Sequence, residues 1–324
     1  MATYKEVIGT SVQNVAGDLS NPVLGEVWYN SSTSSFRVKK VVGVSSWSTA
    51  NALNTRRFYT AGAGTQTSAL VFGGRTGPPT PTAATEAYNG TNWTNTTSMN
   101  TARGYLGGCG ASSTNALAFG GTAGYPAIAI TELWNGSNWT ETGNLNTARK
   151  RISVSGAGTN TAALAFGGVP SGAAAELWNG SNWNSVNSVN VSRQQAAGSG
   201  TSTSALMTGG EPEGAKGALN ESWNGTNWTE VGDLNTARVG AMGAGTGNTS
   251  AIVFGGSPAI ANTELWNGTS WTEVNDLNTG RNQMGPAGTA TSALAFGGLT
   301  GSPGLLTEEW SEAPTPVTQT ITTS

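Results

Sequence analysis

Short apolar runs alternate with turn-forming residues along this chain, and the alternation recurs at a nearly fixed spacing. One copy gives the order. Residues 153–158 are small and mostly apolar, Thr159-Asn160-Thr161 forms a turn, and residues 162–166 are apolar again and end at Gly167-Gly168. This predicts a hairpin of two strands, here called a and b. After a variable stretch come Glu176-Leu177-Trp178, Asn179-Gly180 and Asn182-Trp183. Asn-Gly between two short strands signals a hairpin, because both residues of the tight turn take positive φ. These are strands c and d. The runs lack helical periodicity, and glycine is too dense for helices. Each copy therefore predicts a four-stranded antiparallel sheet.

The copies can be aligned on their anchors. Gly-Gly pairs begin at Gly73, Gly120, Gly167, Gly209, Gly255 and Gly297, in steps of 47, 47, 42, 46 and 42 residues. A tryptophan series runs through Trp47, Trp93, Trp139, Trp183, Trp228 and Trp271. A third series pairs Glu with an aromatic two residues on: Glu86/Tyr88, Glu132/Trp134, Glu176/Trp178, Glu221/Trp223, Glu264/Trp266 and Glu308/Trp310. A period of this length marks a solenoid or a propeller. Six such sheets about an axis make an all-β, six-bladed propeller. Strand a is rich in Gly, Ala and Ser, which suits the crowded axis, while the tryptophans suit the diverging outer blade. The last copy supplies strands a, b and c (residues 307–310) without a d. The chain opens its repeats with a lone d at residues 45–48. The C-terminal strand c is thus expected to pair with the N-terminal strand d, closing the ring without an open edge. The expected division is 1–43, an attachment segment with a small β-hairpin (26–29 and 36–41); 44–310, the propeller; and 311–324, an extended tail.

Composition narrows the chemistry. The 324 residues suffice for a large core. The net charge is -3 and only 10% of residues are charged, which argues against nucleic acid as a partner. There is no histidine, so the commonest general base and metal ligand are missing together. The one cysteine, Cys109, allows no intrachain disulfide. It reads as a small buried hydrophobe. Three aspartates leave no Asp-rich calcium loop. Residues 1–20 lack the apolar core of a signal peptide, and no run is long enough to span a bilayer. No cofactor, metal or catalytic residue is expected.

Gly-Gly after strand b, the aromatic in strand c and the Trp in strand d together resemble the kelch repeat over residues 44–310. The fuller unit, Glu-Leu-Trp-Asn-Gly-x-x-Trp-Thr followed by Leu-Asn-Thr-Ala-Arg, more closely resembles kelch-like proteins of marine bacteriophages. Residues 21–30, Asn-Pro-Val-Leu-Gly-Glu-Val-Trp-Tyr-Asn, look like an opening segment of phage virion proteins. The resemblance implies a tail-fibre or adhesin-type protein on the virion surface, joined to other virion proteins through residues 1–43, with a homo-oligomer as one possible state. Such proteins are likened to galactose oxidase. Its copper site needs histidine ligands and a Cys-Tyr crosslink, so that activity is not carried over to a chain without histidine.

Most repeated residues read as scaffold. The arginines Arg57, Arg103, Arg149, Arg193, Arg238 and Arg281 could form a basic ring for an anionic sugar. Strict repetition favours ion pairs or backbone hydrogen bonds that join strand d to the next strand a, with the repeated glutamates as candidate partners. Only Trp28 falls outside the repeated aromatic series, so the tryptophans read as blade packing rather than sugar platforms. The Asn-Gly-Ser/Thr triplets at Asn89, Asn135, Asn179, Asn224 and Asn267 read as turns rather than glycosylation sites. Glu211 and Glu213 are weak evidence for a glycoside hydrolase.

Variation points elsewhere. The a–b and c–d turns are nearly uniform. The b–c loops (75–84, 122–130, 169–174, 211–219, 257–262 and 299–306) differ in every copy. So do the two residues after each repeated Arg. All this diversity falls on one face, the usual place for recognition. The termini leave from the opposite face. The expected function is non-enzymatic attachment to a host surface glycan or protein, through Phe58, Tyr59, Tyr105, Tyr125, Lys150, Arg151, Gln194, Gln195, Asn282 and Gln283. The alternatives are a structural or decoration protein of the virion and a glycan hydrolase. Decoration predicts that deletion alters particle stability but not adsorption. Hydrolysis requires paired carboxylates converging near the axis.

Overall fold

The computed structural model describes residues 12–22, 26–40, 45–152, 157–211, 217–301, 304–312 and 317–321. The chain divides into two compact units, Met1–Ser45 with Glu312–Ser324, and Ser46–Ser311. Among the described residues all regular structure is β.

The larger unit contains six four-stranded antiparallel sheets in a propeller-like arrangement. In the first, strand a is Ala61–Thr65, b is Ser68–Phe72, c is Thr85–Tyr88 and d is Trp93–Thr96. They pair in that order. The last sheet joins Gly285–Gly288, Ser292–Phe296 and Thr307–Ser311 to Ser46–Ala50 from the start of the unit. Its outer register sets Trp310 opposite Trp47 and Ser311 opposite Ser46. The chain thus enters and leaves this unit side by side, at the end of the sheets that carries the c–d turns. The a strands of successive sheets are spatial neighbours, and that of the last sheet neighbours that of the first. In the third sheet, strand a is Ala157–Gly158, and residues 153–156 of its expected span lie outside the described residues.

The repeated residues hold sheet to sheet. Strand b is buried beyond its opening Ser or Asn, as at Leu70, Val71 and Phe72. In each strand d the Trp faces the strand c aromatic across the hairpin, at 5.3–5.6 Å between Trp–Trp centroids and 4.9 Å for Tyr88–Trp93. In five copies the same ring packs on the strand b Phe of the preceding sheet; where that sheet has Thr208 instead, Trp271 shares an apolar cluster with Leu206. Trp139 lies 5.0 Å from Phe72, Trp183 5.0 Å from Phe119 and Trp228 5.1 Å from Phe166. Each such Trp therefore bridges two sheets.

The Leu-Asn-Thr-Ala-Arg segment is a second bridge. Arg57 is fully buried and donates to Glu86 at 2.6 Å and to the carbonyls of Gly73 and Ala84 at 3.2 and 2.7 Å. Glu86 also accepts the backbone N–H groups of Asn54 and Thr55 at 2.7 and 3.1 Å, and the Asn54 amide donates to the Trp93 carbonyl. The ion pair recurs as Arg103–Glu132, Arg149–Glu176, Arg193–Glu221, Arg238–Glu264 and Arg281–Glu308. Burial lowers the guanidinium pKa in all six, and the glutamate opposes it. The six arginines are therefore interior ties and present no basic ring to solvent.

The Asn-Gly turns differ from the two-residue form. Tyr88 pairs with Trp93, leaving Asn89 to Asn92 as a four-residue loop. Only the glycine takes positive φ, 89–96° in the five loops. The Asn89 side chain instead accepts the N–H groups of Thr91 and Asn92, at 3.0 and 2.8 Å. An asparagine side chain closes the turn where a second left-handed residue was expected.

The smaller unit contains one four-stranded sheet. Gln13–Val15 runs parallel to Val27–Asn30, which pairs with Ser35–Lys40, and Val317–Thr320 adds antiparallel to the last. Trp28 is fully buried there. Asn30 closes the hairpin by accepting from the N–H groups of Ser32 and Thr33. Val41 of the expected hairpin lies outside the described residues.

Candidate functional site

The two variable residues after each repeated Arg sit on an invariant backbone. The first of them bridges to the residue after Gly-Gly: Phe58 with Arg75, Gly104 with Thr122, Lys150 with Val169, Gln194 with Glu211, Val239 with Ser257 and Asn282 with Leu299. The second is left-handed in every copy: Tyr59, Tyr105, Arg151, Gln195, Gly240 and Gln283 have φ of 52–65°. Their peptide groups form a cycle. Tyr105 N–H donates to Tyr59 C=O, Arg151 to Tyr105, Gln195 to Arg151, Gly240 to Gln195, Gln283 to Gly240, and Tyr59 to Gln283, all at 2.9–3.1 Å. A left-handed residue costs an L-amino acid about 1–2 kcal/mol. Here the cycle makes that conformation the one that satisfies six otherwise inward-facing N–H groups.

Five side chains hang from this cycle, Gly240 contributing none. Tyr59 stacks on Tyr105 at 3.6 Å, and the Arg151 guanidinium lies 5.4 Å from the Tyr105 ring. The Gln283 amide approaches that of Gln195 at 3.5 Å. Burial, followed by the neighbouring Tyr105 hydroxyl, raises the Tyr59 phenol pKa above its ordinary value. The space left among these groups is about 10 Å³, no more than one water needs. Rather than opening a mouth on the axis, the side chains expected to line it plug it.

Behind the plug runs a shaft of about 110 Å³ walled by strand a residues such as Gly62, Gly108, Ser199 and Ala287. Cys109 borders it. Its sulfhydryl donates to the Thr159 carbonyl at 3.4 Å, and burial pushes the thiol pKa up to about 12. It is a thiol, unreactive at neutral pH.

Open space lies to one side of the plug. A cleft of about 330 Å³ is bounded by Arg75, Pro79, Tyr105, Thr122, Gly124, Tyr125, Lys150 and Arg151. The Arg75 guanidinium lies 4.8 Å from the Tyr105 ring and donates to the Gly124 carbonyl. Lys150 sits 4.8 Å from the Tyr125 ring and donates to the Tyr125 carbonyl at 2.7 Å. Tyr125 is 87% exposed. Beyond it a second hollow of about 420 Å³ runs along Pro126, Ala127 and Pro170.

The expected residues thus separate into three groups. Tyr105, Tyr125, Lys150 and Arg151 meet at the cleft. Tyr59, Gln195 and Gln283 belong to the plug. Phe58 is 4% exposed and packs on Tyr59 at 4.9 Å, so it is interior and offers no contact surface. Gln194 and Asn282 stand half-buried on the rim. Gln194 accepts from Arg151 at 3.1 Å and donates to Glu211 at 3.1 Å, linking the two charges through one amide. Glu213 lies outside the described residues. Arg75 was missed. Its signal was its place directly after Gly73-Gly74, which the bridge to Phe58 brings beside the plug.

The fold defines an all-β protein with propeller-like sheets. It is similar to the solved structure of YjhT, with a TM-score of 0.65 and 13% identity over 83% of this chain and 99% of that one. At that identity the likeness concerns the fold alone. No family model matches the chain, and no curated protein matches it by sequence.

Proposed function

We propose that the larger unit is a closed, six-bladed kelch-type propeller that works as a non-enzymatic binding module. On this reading it is an adhesin-type protein of a phage virion surface, and it attaches to a host surface glycan. Six sheets, the pairing of Thr307–Ser311 with Ser46–Ala50, and the cyclic hydrogen bonds support the closed ring. The virion setting rests on the resemblance of the repeat unit and of residues 21–30 to phage proteins. Residues 1–43 would join other virion proteins.

One observation carries the binding reading. The backbone at the loop end is the same six times, while the pair of side chains it carries differs in every copy. Packing demands cannot account for residues as unlike as Tyr105, Arg151 and Gly240 at one equivalent position, whereas recognition uses such diversity on a rigid support. Stacking on the exposed Tyr125 with hydrogen bonds from the basic side chains is enough to hold a saccharide. The test applies the labelled full chain to cells that the particle infects. Saturable binding, competed by glycans released from those cells, is expected. A chain that binds no such cells while intact particles do would remove the reading.

A further inference from the structure

We infer that the cleft between Tyr105 and Tyr125 takes the acid group of an anionic saccharide, held by Arg75, Lys150 and Arg151. This rests on the glycan-binding reading and narrows it to a ligand class. The argument begins with the distribution of charge. The chain is acidic overall, with 15 Lys and Arg against 18 Asp and Glu. In residues 46–311, six arginines are consumed by the buried ion pairs. The described cations that remain there are Arg56, Arg75, Lys150 and Arg151. Three of these four line one cleft.

Chance placement on an acidic surface would set such cations beside carboxylates. Among the described residues, no carboxylate lies within ion-pair distance of Arg75, Lys150 or Arg151. The nearest connection is indirect, through the Gln194 amide to Glu211. The cations are held by neutral partners instead: two carbonyls, one amide and the faces of two tyrosines. Arg75 Nε is buried without a hydrogen-bond partner. Three like charges converging without a counter-ion repel one another, and an oxyanion between them relieves that repulsion while accepting charge-assisted hydrogen bonds.

The walls define the rest of the ligand. Tyr105 is stacked on Tyr59 and so is fixed in orientation, whereas Tyr125 stands exposed across the cleft. With Tyr105 covered by Tyr59 and the two guanidiniums, the exposed Tyr125 ring is the aromatic surface left beside the anion subsite, and it suits a sugar ring that carries an acid group better than a bare ion. The cleft volume is at the lower end of small-molecule sites, about 300–1,000 Å³. Carboxylate, phosphate and sulfate share the required chemistry.

The experiment is calorimetric titration of the full chain with uronate-, phosphate- and sulfate-bearing oligosaccharides, each beside its neutral parent, and with sodium sulfate alone. At least one acidic member is expected to bind, with its parent weaker by on the order of tenfold or more. Arg75→Gln, Arg151→Gln and Lys150→Gln are each expected to weaken it comparably, with unchanged circular dichroism and melting. Lys150, whose ammonium lies at the surface, is the variant least able to disturb folding. Equal binding of acidic and neutral members, or binding undiminished in all three variants, overturns the assignment but leaves the glycan reading standing. Displacement by sodium sulfate at equal concentration reduces the site to an ion site only and also overturns it. If no saccharide binds while cells still do, the ligand is not a glycan. If neither binds, the attachment reading itself fails.

Discussion

The buried Arg–Glu ties and the cycle at the axis are both repeated six times, yet they treat side chains in opposite ways. In the ties the side chains are the structure. Arg57 and Glu86 between them satisfy two carbonyls and two backbone N–H groups, so any other residue leaves buried polar groups without partners. In the cycle the backbone is the structure. Six N–H and six C=O groups satisfy one another, and the side chains are released to differ. Repetition of a residue therefore marks an interior that is closed by its side chains. Repetition of a conformation with changing residues marks a surface free to acquire binding specificity.

The largest expected effect breaks the ties. Arg103→Leu leaves Glu132 charged and buried beside an apolar group. Removing one partner of a buried pair costs about 3–5 kcal/mol. A urea titration should register that loss. Lys150→Gln in the cleft should change stability by no more than about 0.5 kcal/mol, as for other surface substitutions. Comparable losses in the two variants would abolish the distinction between scaffold and binding surface.

A smaller effect compares two glycines of nearly equal φ. Gly73 has φ +63° and Gly240 has φ +65°. A Cβ on Gly73 would lie 2.8 Å from the Arg103 carbonyl oxygen, against immobile backbone. On Gly240 it would meet the Gln283 side chain at 3.3 Å, which can move. Gly240→Ala should cost about 1 kcal/mol, the left-handed penalty alone. Gly73→Ala should reach about 3 kcal/mol by adding the overlap. Thermal melting of the two variants measures the difference. Equal costs would mean that the cycle constrains side chains as tightly as the ties do.

Much of this was legible in the sequence because the fold is written six times. Strand order and the Gly-Gly positions follow from aligning the copies, since each repeats a local cause, and the alignment offers the repeated Glu as a candidate partner of each Arg. The cleft was less legible. Lys150 and Arg151 were found as variable residues after a repeated Arg, but Arg75 is a single loop residue and gains meaning only through its bridge to Phe58. The plug was hidden for a similar reason. Left-handed φ at two tyrosines, an arginine and two glutamines contradicts local preference, and the hydrogen-bond cycle that enforces it is not local. The asparagine-closed turns were misread because Asn-Gly serves two loop lengths and only the register separates them.

The smallest effect concerns an irregular copy of the scaffold itself. The strand d indole usually donates to a threonine at the start of strand c in the preceding sheet: Trp139 to Thr85, Trp183 to Thr131, Trp47 to Thr263 and Trp93 to Thr307, at 3.0–3.2 Å. In the third sheet that position is Ala175, paired with Phe166 as Thr85 is with Phe72. The indole N–H of Trp228, packed in the same cluster as Ala175, is buried without a partner. Asn220 replaces the threonine in the fourth sheet, where it accepts from Thr208 instead, and Trp271 is likewise unpartnered. Ala175→Thr should restore the missing bond. Four equivalent sites already hold a threonine in this packing, so the added atoms need not strain the core. A net hydrogen bond contributes about 0.5–1.5 kcal/mol, and the melting temperature should rise accordingly. Ala175→Val supplies the same shape without the hydroxyl. If Val stabilises as much as Thr, the gain comes from filled space and the indole bond adds nothing. A gain confined to Thr would establish that the scaffold, unlike the plug and cleft, improves as its copies become more alike.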